Sequence, residues 1–282
     1  AIGNAGTLMG AAPLAWPTVL AGWRLVFAGL AFAAVLLAVL CWVFATIRRT
    51  RAVPGWDPGD EPGSSRDVIR SRELWLLAFF LFTKYGSQVA FQGLWGVRYI
   101  ANVYGVSPTT AAGAMTMMAA GYVVAAPMIG KLADVMAARG MNLMAAQRRL
   151  LIATTLLYVV TWGLLVLVPG LLPLSAMCVL LFLMGVSVSS ASLVYGIAKG
   201  LFPSNVSGLA IGLVNITSIL GGAAMPPIVG WFIDRPAVAG LQGGAVYSKA
   251  MIPCLLAALI SLALIWMVGK PSGQHVPSRY SA

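Results

Sequence analysis

One lysine stands where a bilayer does not tolerate a free charge. In FFLFTKYGSQVAFQGLW, residues 79–95, Lys84 lies among aromatic and aliphatic side chains. Gln88 and Gln92 follow at four-residue steps on the same helical stripe, with Trp95 adjoining. A charge at the centre of a membrane-spanning helix is unfavourable by roughly 2.5 to 3.5 kcal/mol on insertion scales. Along a helix Lys84 is about 16 Å from Glu73 and about 21 Å from Arg98, too far for its stem to carry the ammonium to an interface. The group must face protein or a watery cavity. Two roles stay open: a structural tie to a carboxylate or carbonyl of another helix, or contact with a solute or ion in a central pathway, with Gln88 and Gln92 orienting it through amide hydrogen bonds.

The remaining chemistry is sparse. The seven carboxylates, Asp57, Asp60, Glu61, Asp67, Glu73, Asp134 and Asp234, all fall in loops or at helix ends. The one histidine, His275, sits in a polar tail. A membrane hydrolase or transferase needs paired acids, or a histidine beside a nucleophile, so no enzyme is expected. Cys41, Cys178 and Cys254 sit singly in apolar runs, which supports neither a disulfide framework nor a metal site, and nothing calls for a cofactor. Asn215 is a further candidate for solute binding, since a buried amide needs partners and offers both donors and acceptors. Tyr122 joins it as a candidate lining residue. Ser187, Ser189, Ser190, Ser192 and Tyr195, with Thr217 and Ser218, read first as small residues that permit close packing, and the methionines of AMTMMAAGY as filler. One cation and no acid at membrane depth make an electropositive cavity, and so an anionic solute, the expectation, unless another segment supplies an acid.

The elements that hold these residues follow from composition. A chain that is 60% hydrophobic and 9% charged, with mean hydropathy +0.90, reads as an integral membrane protein. Its net charge of +11 would point to nucleic acid in a soluble domain, but here the bases cluster between apolar runs, so the partner is the lipid bilayer and nucleic acid is not expected. Eight runs are long enough to span, near 2–20, 25–47, 74–97, 109–132, 149–168, 171–198, 206–230 and 247–269. No polar–apolar alternation supports a barrel, so the fold expected is an all-α transmembrane bundle of about eight helices. With both ends in the cytoplasm, the inner side collects most Lys and Arg while the outer side holds Arg24, Arg98, Arg235 and Lys249. The stretch RRTRAVPGWDPGDEPGSSRDVIRSRE reads as a flexible cytoplasmic linker between two helices and six. GAAPLAWPTVLAGWR (10–24) echoes GAAMPPIVGWFIDR (222–235), as repeated transporter halves do.

Three stretches resemble one family. GNAGTLMGAAPLAWPTVLAGWRLVF is similar to the fifth helix and the start of the sixth in the major facilitator superfamily of secondary transporters. GKLADVMAARG resembles the motif between its helices eight and nine, and GLFPSNVSGLAIGLVNITSILGGAAMPPIVGWFIDR its eleventh helix and the approach to it. The resemblance implies residues 1–47 as the last two helices of an N-terminal half whose first four are missing, 48–72 as the linker, 73–270 as a complete six-helix C-terminal half, and 271–282 as a cytoplasmic tail. It also implies a conformational gate at Gly130, Asp134 and Arg139: the glycine admits a neighbouring helix, and the aspartate faces a helix N-terminus. The motif departs from the family pattern, because Val135 follows Asp134 where a base is usual and the next base is Arg139. The function implied is secondary transport of a small solute by alternating access in a multi-pass cell membrane of the bacterial inner-membrane kind. Coupling to a proton or another ion stays open, and a transporter-like sensor that signals to a partner is the alternative.

Overall fold

The computed structural model describes residues 22–48, 63–235 and 244–269. The helix expected near 2–20, most of the linker and the tail lie outside these residues. Trp23–Arg48 forms α1, an almost wholly apolar helix that belongs to a first unit, Ala1–Glu61. The second unit, Pro62–Ala282, holds α2 (Ser65–Arg70) and six spans. The first span is α3 (Arg72–Val89), a π-helical stretch (Ala90–Trp95) and α4 (Gly96–Tyr104). Then come α5 (Pro108–Ala138), α6 (Leu143–Leu167), a span broken into α7 (Leu174–Ser189) and α8 (Ala191–Gly200), α9 (Ser204–Asp234), and α10 (Gly244–Ala250) leading into α11 (Ile252–Met267). With α1, seven stretches are long and apolar enough to cross a membrane among the described residues.

Local sequence sets the ends. Ser71, Ser107 and Asn142 cap α3, α5 and α6 by accepting from backbone N–H groups in the first turn, and Pro108 begins α5 where its missing N–H is harmless. Gly105 (φ 64°) closes α4 in the left-handed region and Gly140 (φ 91°) follows α5 in it, where a Cβ would be strained. The last carbonyls of α11 are satisfied by Arg148, whose Nε donates to Val268 O at 2.9 Å and whose Nη2 donates to Trp266 O at 3.0 Å.

Packing rests on glycine at two crossings. A Cβ on Gly121 of α5 would strike the carbonyl oxygen of Phe182 on α7, and one on Gly221 of α9 would strike that of Phe82 on α3. Gly185 and Gly86 face back across the same crossings, onto Met118 O and Gly221 O. Phe82 and Gly121 are matched about one hundred residues later by Phe182 and Gly221, as are the π stretch and the break at Ser190, so the six spans are two threefold sets related by an internal repeat. The core falls into two clusters, each drawing on all six spans. Phe91, Tyr99, Tyr158 and Trp162 centre one cluster, with edge-on ring contacts of 5.4 to 6.1 Å, and Leu74, Phe80, Leu81, Leu151 and Ile197 belong to the other.

Three expectations change. The span expected at 74–97 runs from Arg72 to Tyr104, because the π stretch carries it past Trp95 and α4 buries Tyr99 and Ile100 while leaving Arg98 outside. The span expected unbroken at 171–198 is interrupted at Ser190. The end of the linker is folded: Ser64 caps α2, Val68 is buried, and Asn205 holds Gly63 from both sides, accepting from its N–H at 3.3 Å and donating to its carbonyl at 3.0 Å. Those bonds and Val68 give this segment a seat on the start of α9.

Candidate functional site

Lys84 lies on α3 between the two core clusters, and its side chain turns inward. It is 1% exposed. Nζ donates to Thr155 Oγ1 of α6 at 3.0 Å and to Ser190 Oγ, at the break between α7 and α8, at 3.3 Å. The rings of Phe80 and Tyr158 stand 5.3 and 5.6 Å from the nitrogen. Ser190 Oγ also accepts from Thr154 Oγ1 at 2.7 Å and donates to Ser187 O at 2.8 Å. Tyr158 Oη and Ser87 Oγ, 2.9 Å apart, pair below the lysine, and the phenol reaches Lys84 O at 3.3 Å.

This cage holds an ammonium without a carboxylate. Its partners are hydroxyls and ring faces. The sequence left open a tie and a solute contact; the hydrogen-bond partners among the described residues are side-chain hydroxyls, where a carboxylate or carbonyl was anticipated for a tie. Among the described residues Asp67, Glu73, Asp134 and Asp234 stand at or near helix ends, and no three His, Cys, Asp or Glu come together as a metal cluster.

Gln88 and Gln92 do not reach the cage. Half-buried, they bond to each other, Gln88 Nε2 donating to Gln92 Oε1 at 3.0 Å. The π stretch widens the turn between them, a feature rare in helices and frequent at functional sites. Trp95 closes it by donating to Pro226 O of α9 at 3.1 Å. Asn215 is exposed on α9 and accepts from Tyr195 Oη of α8 at 3.2 Å, and Ser192 is exposed one turn from Tyr195. Tyr122 is half-buried and packs against the cluster around Phe91 and Trp162. The structure thus yields an inward cage at Lys84 and two separate, partly accessible polar pairs, Gln88 with Gln92 and Tyr195 with Asn215. Accessible amides and a phenol deep in a span are unsuited to hydrocarbon; they suit a water-filled cavity or a facing protein surface.

The gate residues lie apart from both. Asp134 and Arg139 are exposed near the end of α5, and among the described residues Asp134 pairs with no base or helix N-terminus. A Cβ on Gly130 would meet no atom within 4 Å. The close approach expected at Gly130 is therefore absent among these residues, and Gly121, Gly185, Gly86 and Gly221 make the close approaches instead. Thr154, Thr155, Tyr158 and Ser190 were not legible as a cage, because adjacent threonines on one helix give no hint of a partner on another. The available signal was the coincidence of Ser190 in SVSSASLVY and Thr155 at similar depth to Lys84.

Residues 82–281 match the family model of the Major Facilitator Superfamily. No curated protein matches the chain.

Proposed function

This chain belongs to the major facilitator superfamily, a family of membrane transporters, and from that premise we propose that it carries a small solute by alternating access, with the accessible polar pairs of the second unit as its part of the binding site. The observation that carries the reading is the pair of helix interruptions, Ala90–Trp95 and Ser190, at corresponding places in the two threefold sets. Interrupted spans near mid-depth are where transporters of this kind bind substrate, since freed backbone groups and neighbouring side chains can exchange partners there. Tyr195 follows one interruption by five residues and bonds Asn215 of α9; Gln88 precedes the other and Gln92 lies within it. Each presents donors and acceptors that a polar solute can take over.

An anionic solute fits this arrangement best. Lys84 supplies one positive charge at depth, with no acid beside it among the described residues. Acting at about 10 Å through a medium of effective dielectric near 20, it favours an anion by about 1 to 2 kcal/mol without touching it. The preference then comes from the field of a buried charge, and contact with the solute is left to Gln88, Gln92, Tyr195 and Asn215, with Tyr122 at the edge. The gate reading of Asp134 and Arg139 belongs to the same proposal: the exposed carboxylate biases one end state.

The test is uptake by the full-length protein in proteoliposomes, using a panel of labelled organic acids, inorganic oxyanions and neutral polyols. Saturable uptake confined to anions, weakened by Asn215→Ala and by Tyr195→Phe, is the expected result. Uptake of neutral solutes alone would remove the anion preference, and uptake unaffected by either variant would remove the site.

A further inference from the structure

The folded end of the linker carries apolar surface that water does not favour. On α2, at about 100° per residue, Arg66, Ile69 and Arg70 share one face, and Val68 points the opposite way into the cluster that includes Val206 of α9. Ile69 is 52% exposed. A short bond ties this helix to the first span, the indole Nε1 of Trp75 donating to Ile69 O at 2.7 Å. On α3, Arg72, Trp75 and Phe79 follow at i, i+3 and i+7 and form an exposed stripe, while Leu74, Leu77 and Ala78 on the other side are buried. The rings of Trp75 and Phe79 stand 5.9 Å apart.

From the end of the span inward the stripe therefore reads guanidinium, indole, phenyl. That is the order of a bilayer leaflet: phosphate outermost, then the interfacial level that indoles favour, then hydrocarbon. Arg66 and Arg70 bring two more guanidiniums to the outer level, and the exposed Ile69 has a place there only if it dips beside Trp75 into the interface. The carboxylates nearby are turned elsewhere. Asp67 stands in the first turn of α2, at the edge of the face. Glu73 is half-buried and turned toward the end of α11, where a Cβ on Gly269 would stand 4.0 Å from its Oε1. Among the described residues no ion pair ties up the three arginines.

We propose that this surface seats one anionic phospholipid, its phosphate among Arg66, Arg70 and Arg72 and an acyl chain running down Trp75 and Phe79. Charge complementarity selects the occupant. Guanidinium forks match phosphate oxygens two at a time; a zwitterionic headgroup offers the same phosphate with its charge already balanced, so the anionic lipid binds more tightly. The bound lipid clamps α2 to the first span, beside the bond from Trp75. The transported solute has no part in this site.

The test uses the full-length protein in nanodiscs of phosphatidylcholine alone, or of three parts phosphatidylcholine to one of phosphatidylglycerol. The anionic lipid is expected to raise the thermal midpoint by about 2 to 5 °C, the scale for a ligand near ten times its dissociation constant on a chain of this size. Arg70→Gln with Arg72→Gln should lose at least half of that rise. Lys131→Gln with Arg149→Gln, which removes two exposed bases outside α2 and α3, should keep it. A spin label at Phe79→Cys, with Cys41, Cys178 and Cys254 replaced, should relax readily with dissolved oxygen and weakly with a water-soluble nickel chelate, as a lipid-facing site does. Equal rises in the two double variants overturn the proposal. So does a label shielded from oxygen, because another protein surface then covers the stripe. Inorganic phosphate giving the same rise in phosphatidylcholine nanodiscs overturns it as well, since the arginines would then bind a free anion and need no lipid.

Discussion

Replacing Lys84 by methionine should leave the protein as stable as before or make it more so, although two hydrogen bonds are removed. The structure gives both sides of the balance. Lost are the donations to Thr155 at 3.0 Å and to Ser190 at 3.3 Å, the second long for a strong bond. Interhelical hydrogen bonds in membranes average about 0.6 kcal/mol with a maximum near 1.7, so about 1 to 2 kcal/mol is at stake for the pair. The ring contacts at 5.3 and 5.6 Å add on the order of 0.5 to 1 kcal/mol together. Against this stands the desolvation of a fully enclosed ammonium without an anion, which is several kcal/mol even after relaxation. Methionine is unbranched, close in length, and fills the channel along α3 without a charge. Ser190 keeps Thr154 and Ser187 as partners, so only Thr155 is stripped. The net is between zero and about 2 kcal/mol in favour of the variant, or up to about 8 °C in midpoint for a chain of this size. Lys84→Ala, which empties the same volume, should fall by about 2 to 4 kcal/mol. Thermal unfolding of the purified protein in detergent measures both. A methionine variant melting more than about 4 °C below the parent would falsify the reasoning, because the cage would then be a net stabiliser and Lys84 a structural brace alone.

Gly121→Val and Gly221→Val force apart backbones that touch at the two crossings and should each cost about 1 to 3 kcal/mol or more, whereas Gly130→Val should lie within about 0.5 kcal/mol of the parent; equal melting of Gly121→Val and Gly130→Val would sink the account of the crossings. A single cysteine at Gly140 is expected to react only from the arginine-rich side and one at Gly105 only from the opposite side, so labelling of both from one side refutes the orientation. Asp134→Asn should slow turnover severalfold while solute affinity stays within a few fold, because it shifts a conformational equilibrium and leaves the site intact; unchanged turnover reduces the motif to an ordinary positive loop.

How far residues alone carried the reading depends on the range of the interaction. The membrane class, the helical fold and the approximate spans are properties of apolar runs and of where bases fall, and they were legible. Lys84 was legible as an anomaly because its cost is set by neighbours in sequence. Its partners were not, since the choice between a cavity and a cage depends on which helix stands opposite, a fact decided by the crossings at Gly121 and Gly221. The repeat of the three-span set escaped for the same reason: Phe82 with Gly221 and Phe182 with Gly121 are unremarkable pairs until their carbonyls and Cα atoms meet. The gate at Gly130 was read from a motif resemblance, and a motif does not report whether its helix has a neighbour. The break at Ser190 has no proline or glycine at the joint, so nothing local announced it.

The grip of Asn205 on Gly63 sets where a pull on the start of the second unit is felt. Force entering at Gly63 arrives first at the opening turn of α9, through two hydrogen bonds and the buried Val68, and that turn is continuous with the helix that carries Asn215.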